Sequence, residues 1–254
     1  MTISEGMTGL PGIPFTDWGA AGRARGYAYH ERVVAPKLRG MLFTEGSGVI
    51  AERVVDALES RTPFLAGRVS AVYTAAKTPL STLFIAIPLA RSMPSVVLVN
   101  ARSGALRDAG LSLGTRELLS LEGDFDRTYS LYCQIGGSSL ALSVFTPQLL
   151  QQVIDNGSNS DIEVVDNWMF VYGNASETSS GQMLDAIEKL AERVGGAIVS
   201  PAFEGEAGAP AGGPAGRIDG EGQAKKTSGL TLVVVTIVAV AAGALFTLFG
   251  SGLY

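Results

Sequence analysis

Two side chains able to act as nucleophile or base stand out because each occurs once. Cys133 is the single cysteine and His30 the single histidine. A catalytic thiolate needs a neighbouring base and a lowered pKa, whereas a buried strand cysteine behaves as a small apolar residue. The sequence therefore predicts no catalytic residue. An enzyme would require His30, Cys133 and nearby acids to converge in one pocket.

An acidic cluster, Glu122, Asp124 and Asp126, lies in "SLEGDFDRTY". Carboxylates at this spacing could hold a divalent cation, so these three residues are the metal candidates that the sequence offers. No regular twelve-residue calcium loop surrounds them. The structural interpretation is favoured: a turn leads into a strand that Asp124 or Asp126 caps, with an ion pair to Arg127. We expect no metal and no cofactor.

The charges of the chain are unevenly distributed. Residues 20–107 hold 12 basic and 5 acidic residues, and residues 108–200 hold 4 basic and 13 acidic residues. If the fold keeps the two halves on separate faces, the basic face could turn toward an anionic lipid leaflet. If the halves interleave, their charges neutralise one another. The net charge of −5 argues against nucleic-acid binding.

The apolar stretch "LTLVVVTIVAVAAGALFTLF" begins at Leu230 and ends at Phe249. As a helix it would be about 30 Å long, which matches the hydrocarbon core of a bilayer. It predicts a membrane anchor. Ala239 and Gly243, four residues apart, could let two such helices approach closely, so a homo-oligomer is possible.

The flanks of this stretch predict its orientation. Lys225 and Lys226 precede it, and no basic residue follows it. The positive-inside rule then places the N-terminal domain in the cytoplasm and the short tail, residues 250–254, outside. The beginning of the chain lacks the basic and apolar regions of a signal peptide. We expect a tail-anchored, single-pass protein of the cell membrane.

Composition divides the rest of the chain. Residues 1–18 are rich in Gly, Pro, Thr and Ser and are predicted to be disordered. Residues 19–200 are predicted to form a soluble α+β domain. Residues 203–228 are rich in Gly, Ala and Pro without an apolar period, which predicts a flexible linker to the membrane helix at 230–249.

Within the domain, runs of β-branched and aromatic residues predict strands, and capped apolar periods predict helices. The expected fold is an antiparallel sheet with a few packed helices. Asp166 and Asn167 tolerate a positive φ and are predicted to form the turn of a hairpin within 161–173. The other predicted strands are 64–75, 81–90, 94–101 and 126–134, and the predicted helices are 48–60, 146–157 and 180–196.

The helix at 180–196 has the clearest pattern. One face is predicted to be apolar, and on the other face Asp185 and Lys189 are spaced for an ion pair. The apolar face consists of Met183, Ile187, Leu190, Ala191 and Val194.

Three motifs, "GDFDRTYSLY", "VFTP" and "VVDNWMFVY", carry a family resemblance. Over about residues 63–175 the chain resembles a group of uncharacterised, membrane-associated proteins, mostly from high-GC Gram-positive bacteria. The resemblance implies the domain boundaries and the fold class, and it implies no active site.

Elimination leaves a non-enzymatic protein-interaction or scaffold domain, tethered to the cytoplasmic face of the cell membrane, which gathers the domain at that surface. Its expected partners are the lipid bilayer and a second protein. Trp168 and Tyr172 are the candidate contact residues, each equally suited to the core. The alternative is a domain that binds lipid head groups or small molecules at the inner leaflet, and the third hypothesis is an enzyme.

Overall fold

The computed structural model describes residues 17–76, 79–101, 104–120, 125–138, 160–173 and 180–198. The predictions for residues 1–16, the helix at 146–157, the linker and the membrane anchor lie outside this part of the chain. With them lie Glu122, Asp124, Lys225, Lys226, Leu230, Ala239, Gly243 and Phe249. Within the described residues, no helix is both long and apolar enough to span a bilayer.

Seven antiparallel strands form one sheet in the described residues, in the order β1-β2-β3-β4-β6-β5, and β7 pairs with β4. The strands are β1 Ala28–Val34, β2 Ser47–Asp56, β3 Leu65–Val72, β4 Pro79–Asn100, β5 Arg116–Leu119, β6 Tyr129–Gln134 and β7 Asp161–Gly173. Five helices accompany the sheet in this part of the chain: α1 Trp18–Ala24, α2 Met41–Thr44, α3 Ala105–Asp108, α4 Phe125–Thr128 and α5 Ser180–Ile198. The predicted α+β class is confirmed for these residues.

The long strands β4 and β7 form the centre of the fold. Two short strands were predicted for 81–101, but β4 runs unbroken and its register shifts between Pro88 and Val96. The hairpin predicted at Asp166 is also wrong. Asp166 does adopt a positive φ of 51°, but it forms an irregularity opposite Met93 inside one continuous strand. Strand β7 pairs with β4 on both sides of this irregularity, and β3 pairs with the first half of β4 while β6 pairs with the second.

Two further predictions fail at the level of secondary structure. Residues 48–60 were predicted to be helical, but β2 occupies most of this range, and its four β-branched residues, Val49, Ile50, Val54 and Val55, favour a strand. The strand predicted from residue 126 begins at Tyr129, after the helical turn α4. From Tyr129 onward the predicted alternation is correct, since Tyr129, Leu131 and Cys133 are all buried.

Helix α5 confirms its predicted apolar face, which is buried in full: Met183, Ile187, Leu190, Ala191 and Val194. Its polar face pairs differently from the prediction. Asp185 Oδ1 lies 2.5 Å from Arg25 Nη2. The carboxylate therefore pairs with Arg25, the residue that follows α1, rather than with Lys189. The first residue of α1, Trp18, is 1 % exposed and belongs to the core, inside the range expected to be disordered.

Alternating side chains give the sheet two buried faces. Along β4, Leu83 and Ile85 pack toward α1 and α5, whereas Phe84 and Ala86 pack toward α2 and α3. We call the first side the helix face, because the long helix α5 covers it. We call the second side the carboxylate face, because two buried acidic side chains of β7 lie in it.

Candidate functional site

The structure separates the two residues that could have formed a catalytic pair. Cys133 lies on β6, is 2 % exposed and packs in the core of the helix face. His30 lies on β1, and its side chain is half exposed with Nε2 3.6 Å from Asp56 Oδ2. Strands β2, β3 and β4 stand between them. Burial raises the pKa of the Cys133 thiol, which disfavours the thiolate.

The described part of the acidic cluster shows local hydrogen bonding. Asp126 lies in the first turn of α4, and its Oδ2 accepts a hydrogen bond of 2.9 Å from the Ser120 hydroxyl. Glu122 and Asp124 fall outside the described residues. Among the residues that the structure describes, no group of three His, Cys, Asp or Glu side chains could hold a metal ion.

The aromatic residues suggested as contacts are core residues to different extents. Tyr172 is fully buried, so of the two interpretations left open for it, a contact residue or a core residue, the second is correct. Trp168 is half buried and packs against the core of the carboxylate face. Its ring lies 6.1 Å from that of Phe170, and Phe170 in turn stacks on Tyr172 at 5.9 Å.

Among the described residues, three of the four ion pairs join the basic and acidic halves of the sequence, and the fourth, His30–Asp56, lies within the basic half. Arg25 contacts Asp185 at 2.5 Å and Glu188 at 3.1 Å, and Arg39 contacts Asp166 at 2.6 Å. Each of these pairs links a residue before position 108 to one after it. The interleaved arrangement therefore describes Arg25 and Arg39 better than a separate basic face does.

The most unusual chemistry of the described residues lies in Asp161, at the start of β7. Asp161 is fully buried and accepts two backbone hydrogen bonds of 2.8 Å, one on each carboxylate oxygen. The donor to Oδ1 is the amide of Asn100 at the end of β4, and the donor to Oδ2 is the amide of Leu106 in the first turn of α3. One side chain thus joins the short helix α3 to the sheet.

Glu163 repeats this arrangement two residues further along β7. Its Oε2 accepts hydrogen bonds from the backbone amide of Met41, at 2.8 Å, and from the Tyr172 hydroxyl, at 2.9 Å. Met41 is the first residue of α2. Glu163 Oε1 is buried and has no hydrogen-bond partner among the described residues. The carboxylate therefore uses one oxygen to hold α2.

A glycine precedes each of the two short helices. Gly40 and Gly104 occupy the cap positions of α2 and α3, where Ser, Thr, Asp or Asn would normally satisfy the first amides. A Cβ on Gly40 would lie 2.1 Å from the Tyr172 hydroxyl, and a Cβ on Gly104 would lie 2.4 Å from Asp161 Oδ1. Strand β7 supplies the capping carboxylates. Gly104 leaves room for the carboxylate of Asp161, and Gly40 leaves room for the Tyr172 hydroxyl that donates to Glu163.

Burial sets the protonation of this network. It raises the pKa of Asp161 to about 7, although the two backbone amides act in the opposite direction. It also raises the pKa of Glu163, again against its hydrogen bonds from Met41 and Tyr172. Burial and the neighbouring Glu163 raise the pKa of the Tyr172 phenol, so this hydroxyl remains a donor.

Helix α3, which Asp161 holds in place, forms one wall of an open groove. The wall continues from α3 through the turn at Gly110, where φ is +63°, to Leu113. The floor is the carboxylate face of strands β4, β6 and β5. Val99 pairs with Ser130 across β4 and β6, and Leu118 pairs with Tyr132 across β5 and β6, so these side chains share one face.

The groove has a volume of about 870 Å³. Its apolar lining comprises Val99, Ala101, Leu106, Leu111, Leu113 and Leu118. Two guanidinium groups, those of Arg107 and Arg116, also line it, and its described lining includes no carboxylate. A smaller cavity of about 360 Å³ along α5 is lined mainly by charged side chains of both signs. The groove is therefore the better candidate for a site that takes a partly apolar ligand.

Sequence reasoning did not identify this site. Asp161 and Glu163 alternate with Ile162 and Val164, which is the pattern of a strand with one face in water. The groove wall carries no motif. The sequence did contain one signal. Gly40 and Gly104 each precede a short apolar segment, and glycine has no side chain that could cap a helix.

Comparisons with known proteins give one structural likeness. No family model and no curated protein matches the chain. Among solved structures, the crystal structure of the mycobacterial trehalose monomycolate transport factor A, TtfA, is similar with a TM-score of 0.43 and 12 % sequence identity. The likeness covers 70 % of this chain and 92 % of that one.

Proposed function

We propose that this chain is a non-enzymatic binding domain that works at a membrane and holds a partly apolar ligand in the groove beside α3. The exposed apolar surface in the groove supports this proposal. Leu118 is 57 % exposed although it shares its face with buried strand residues. The volume of about 870 Å³ falls within the range of roughly 300–1,000 Å³ found for small-molecule sites.

The membrane part of the proposal comes from the sequence at 230–249, which is apolar and uncharged. The linker at 203–228, as a random coil, would reach about 25–30 Å. The domain would then stay close to the surface of the bilayer. The lysines at 225 and 226 favour a cytoplasmic domain and an external C-terminus.

A groove-filling variant tests whether the groove binds at all. Ser130 is half buried on the groove floor, and a Ser130→Trp side chain would occupy the space above it. Ser47→Trp, at the exposed start of β2, is the matched control. The full-length protein in a nonionic amphipol is titrated with the neutral dye Nile red. We expect S130W to lose the saturable dye binding that the wild type and S47W both show.

The controls make this experiment decisive. Urea unfolding must show that S130W is folded, because a tryptophan can also disturb the strand. A folded S130W protein that binds Nile red as well as S47W does would refute the groove as the binding site. In that case the apolar stretch at 230–249, which all variants share, would account for the dye.

A protein partner is the second candidate. Leu118 and Ile135 are 57 % and 72 % exposed, and both lie near β5, which ends the strand order. An exposed edge with apolar side chains suits the addition of a strand from another chain. In-cell crosslinking of the full-length protein, with Leu118→Asp as the comparison, tests this. Recovery of the same partner by both forms would count against this edge.

The orientation has its own test. Protease added to intact cells should digest a tag at the C-terminus and spare a tag at the N-terminus. The reverse pattern would place the domain outside the cytoplasm and would leave the binding proposal unaffected.

A further inference from the structure

We infer that the ligand of the groove is an anionic single-chain amphiphile, with its charged group at Arg116 and Arg107 and its chain along the leucines. This inference rests on the proposed function, because it names the ligand class of the same groove. Its argument comes from the charges of the lining and from the shape of the floor.

Two cations line the groove, and the part of the chain that the structure describes gives neither of them an acidic partner. Neither Arg107 nor Arg116 forms an ion pair with a carboxylate among the described residues, whereas Arg25 and Arg39 both do. Arg107 donates a hydrogen bond to the carbonyl oxygen of Ala101 and is otherwise exposed. A guanidinium group suits a carboxylate or phosphate because it presents several donors in one plane.

Arg116 is the more firmly placed of the two. It is half buried at the start of β5, its backbone amide donates to the Leu113 carbonyl oxygen at 2.8 Å, and its Nη1 lies 3.0 Å from Met41 Sδ. A thioether is a weak acceptor, so most of the donor capacity of the guanidinium remains for a ligand. The nearby carboxylate of Glu163 already binds α2 and forms no ion pair with Arg116.

The apolar part of the groove favours a ligand that leaves the bilayer. The wall, Leu106 to Leu113, and the floor, Leu118 and Tyr132, enclose a concave space rather than a flat basic surface. A lipid head group alone would leave the leucines in contact with water. An acyl chain would cover them and remove their apolar surface from water. We therefore expect a monomeric amphiphile rather than the surface of a membrane.

Two probes with the same tail separate the charge from the chain. The full-length protein in nonionic amphipol is titrated at about pH 8 with dansylundecanoic acid and, separately, with its methyl ester. At this pH the carboxyl group of the acid is ionised, and the ester carries no charge. We expect the wild type to bind the acid roughly tenfold or more tightly than the ester. Arg116→Gln should remove most of this preference and leave the affinity for the ester unchanged. Arg32→Gln, an exposed position on β1, is the matched control and should retain it.

Substitutions at Leu118 provide an independent test, because this side chain is exposed and a polar residue there does not disturb the core. Both substitutions remove an apolar contact of the chain, so they should weaken binding of the ester to a similar extent, whereas Leu118→Lys should bind the acid more tightly than Leu118→Glu does. This difference should be a few-fold, as expected for a change of charge beside a partly exposed site.

The outcomes distinguish the two proposals. If Nile red and the ester bind in the groove but the acid shows no preference, the anionic ligand is refuted and the binding site stands. If neither probe responds to Ser130→Trp, the proposed function fails. If phosphatidylglycerol vesicles displace the acid and laurate does not, the single-chain ligand is wrong and the groove recognises a lipid surface.

Discussion

The two faces of the sheet bury similar apolar strand residues, but they are closed in different ways. On the helix face, the nineteen-residue helix α5 lays one apolar stripe across the sheet, and α1 packs beside it. On the carboxylate face, α2 and α3 have four residues each. Helices this short do not form alone, because nucleation is unfavourable.

The carboxylate face therefore depends on buried polar contacts, whereas the helix face is closed by an apolar stripe with its ion pairs at the solvent-exposed side of α5. Asp161 and Glu163 each accept a backbone amide from a short helix, and both lie on the same strand. This arrangement costs the desolvation of two acids. Among the described residues it also leaves the space beside α3 open, since a helix of four residues does not cover the strands to the edge. The groove follows from the way in which this face is closed.

The largest expected effect concerns the helix face. Ile187→Ala removes a fully buried side chain of α5. Loss of burial and the resulting cavity should lower the free energy of unfolding by about 2–5 kcal/mol. Urea unfolding of the full-length protein measures this. Lys189→Ala, on the exposed side of the same helix, should change it by less than about 0.5 kcal/mol. Similar effects at both positions would show that α5 does not close this face.

The next effect concerns the room that a glycine leaves on the carboxylate face. Gly40→Ala would place a methyl group 2.1 Å from the Tyr172 hydroxyl, so we expect a loss of about 3 kcal/mol. In a Tyr172→Phe background the loss should be smaller, because the crowding hydroxyl is absent. Some loss should remain, because the new methyl group still lies close to the Phe170 ring. A double-mutant cycle by urea unfolding measures the difference.

A glycine without neighbours gives the control for this cycle. A Cβ on Gly181, at the second residue of α5, would meet nothing within 4 Å. Gly181→Ala should therefore be neutral or slightly stabilising, since alanine favours a helix. An equal loss at Gly40 with and without the Tyr172 hydroxyl would contradict the crowding that the structure shows.

Asp161→Asn tests the first of the two carboxylates. Both oxygens of Asp161 accept a backbone amide, but an asparagine offers one acceptor oxygen and turns its NH₂ group toward the other donor. One buried amide would lose its acceptor, at a cost of about 2 kcal/mol. The same urea unfolding experiment measures this loss. An unchanged stability would mean that α3 does not depend on Asp161.

The same variant should change the pH dependence of stability. The pKa of Asp161 is raised from 3.8 to about 7 in the folded protein, so the native state binds a proton that the unfolded chain has released over this window. The contribution of this group to stability is therefore greatest below about pH 4 and falls as the pH rises to 7. We expect Asp161→Asn to lose this decline. Parallel curves for the wild type and the variant would place the pKa of Asp161 near its ordinary value.

The helix face was largely predictable from the sequence, and the carboxylate face was not. The stripe from Met183 to Val194 has helical spacing, so α5 and its buried side followed directly. In contrast, a four-residue helix carries no periodic pattern. The alternation of Asp161 and Glu163 with apolar residues is that of a strand with one side in water, and only the folded chain shows that both sides are covered.

The errors on the sheet share one physical cause, which is that local signals do not reveal the partner strand. Asp166 was correctly expected to adopt a positive φ, but the same backbone conformation serves a hairpin turn or an irregularity within a strand. The register of β4 and β7 shifts between Pro88 and Val96, and β7 continues to pair with β4 on both sides of this shift. Asp166 therefore lies in an irregularity within a strand and not in a hairpin turn. Cys133 was correctly expected to be a buried strand residue, because the side chains of its strand alternate between buried and partly exposed positions.

The smallest expected effect is at Glu163, and it separates the two carboxylates. Only Oε2 of Glu163 accepts hydrogen bonds, and Oε1 has no partner among the described residues. A Glu163→Gln side chain can keep its carbonyl oxygen toward Met41 and Tyr172 and place its NH₂ group where Oε1 was. No hydrogen bond is lost, so the free energy of unfolding should change by less than about 1 kcal/mol.

The direction of this small change depends on pH. Burial raises the pKa of Glu163, so at alkaline pH the wild type carries the cost of a buried charge that the glutamine lacks. Glu163→Gln should therefore gain stability relative to the wild type as the pH rises. Glu163→Met, which keeps the length and removes both acceptors, should lose about 2 kcal/mol in the same urea measurement. If the glutamine were as damaging as Asp161→Asn, both oxygens of Glu163 would have to be engaged, and the two carboxylates would hold their helices in the same way.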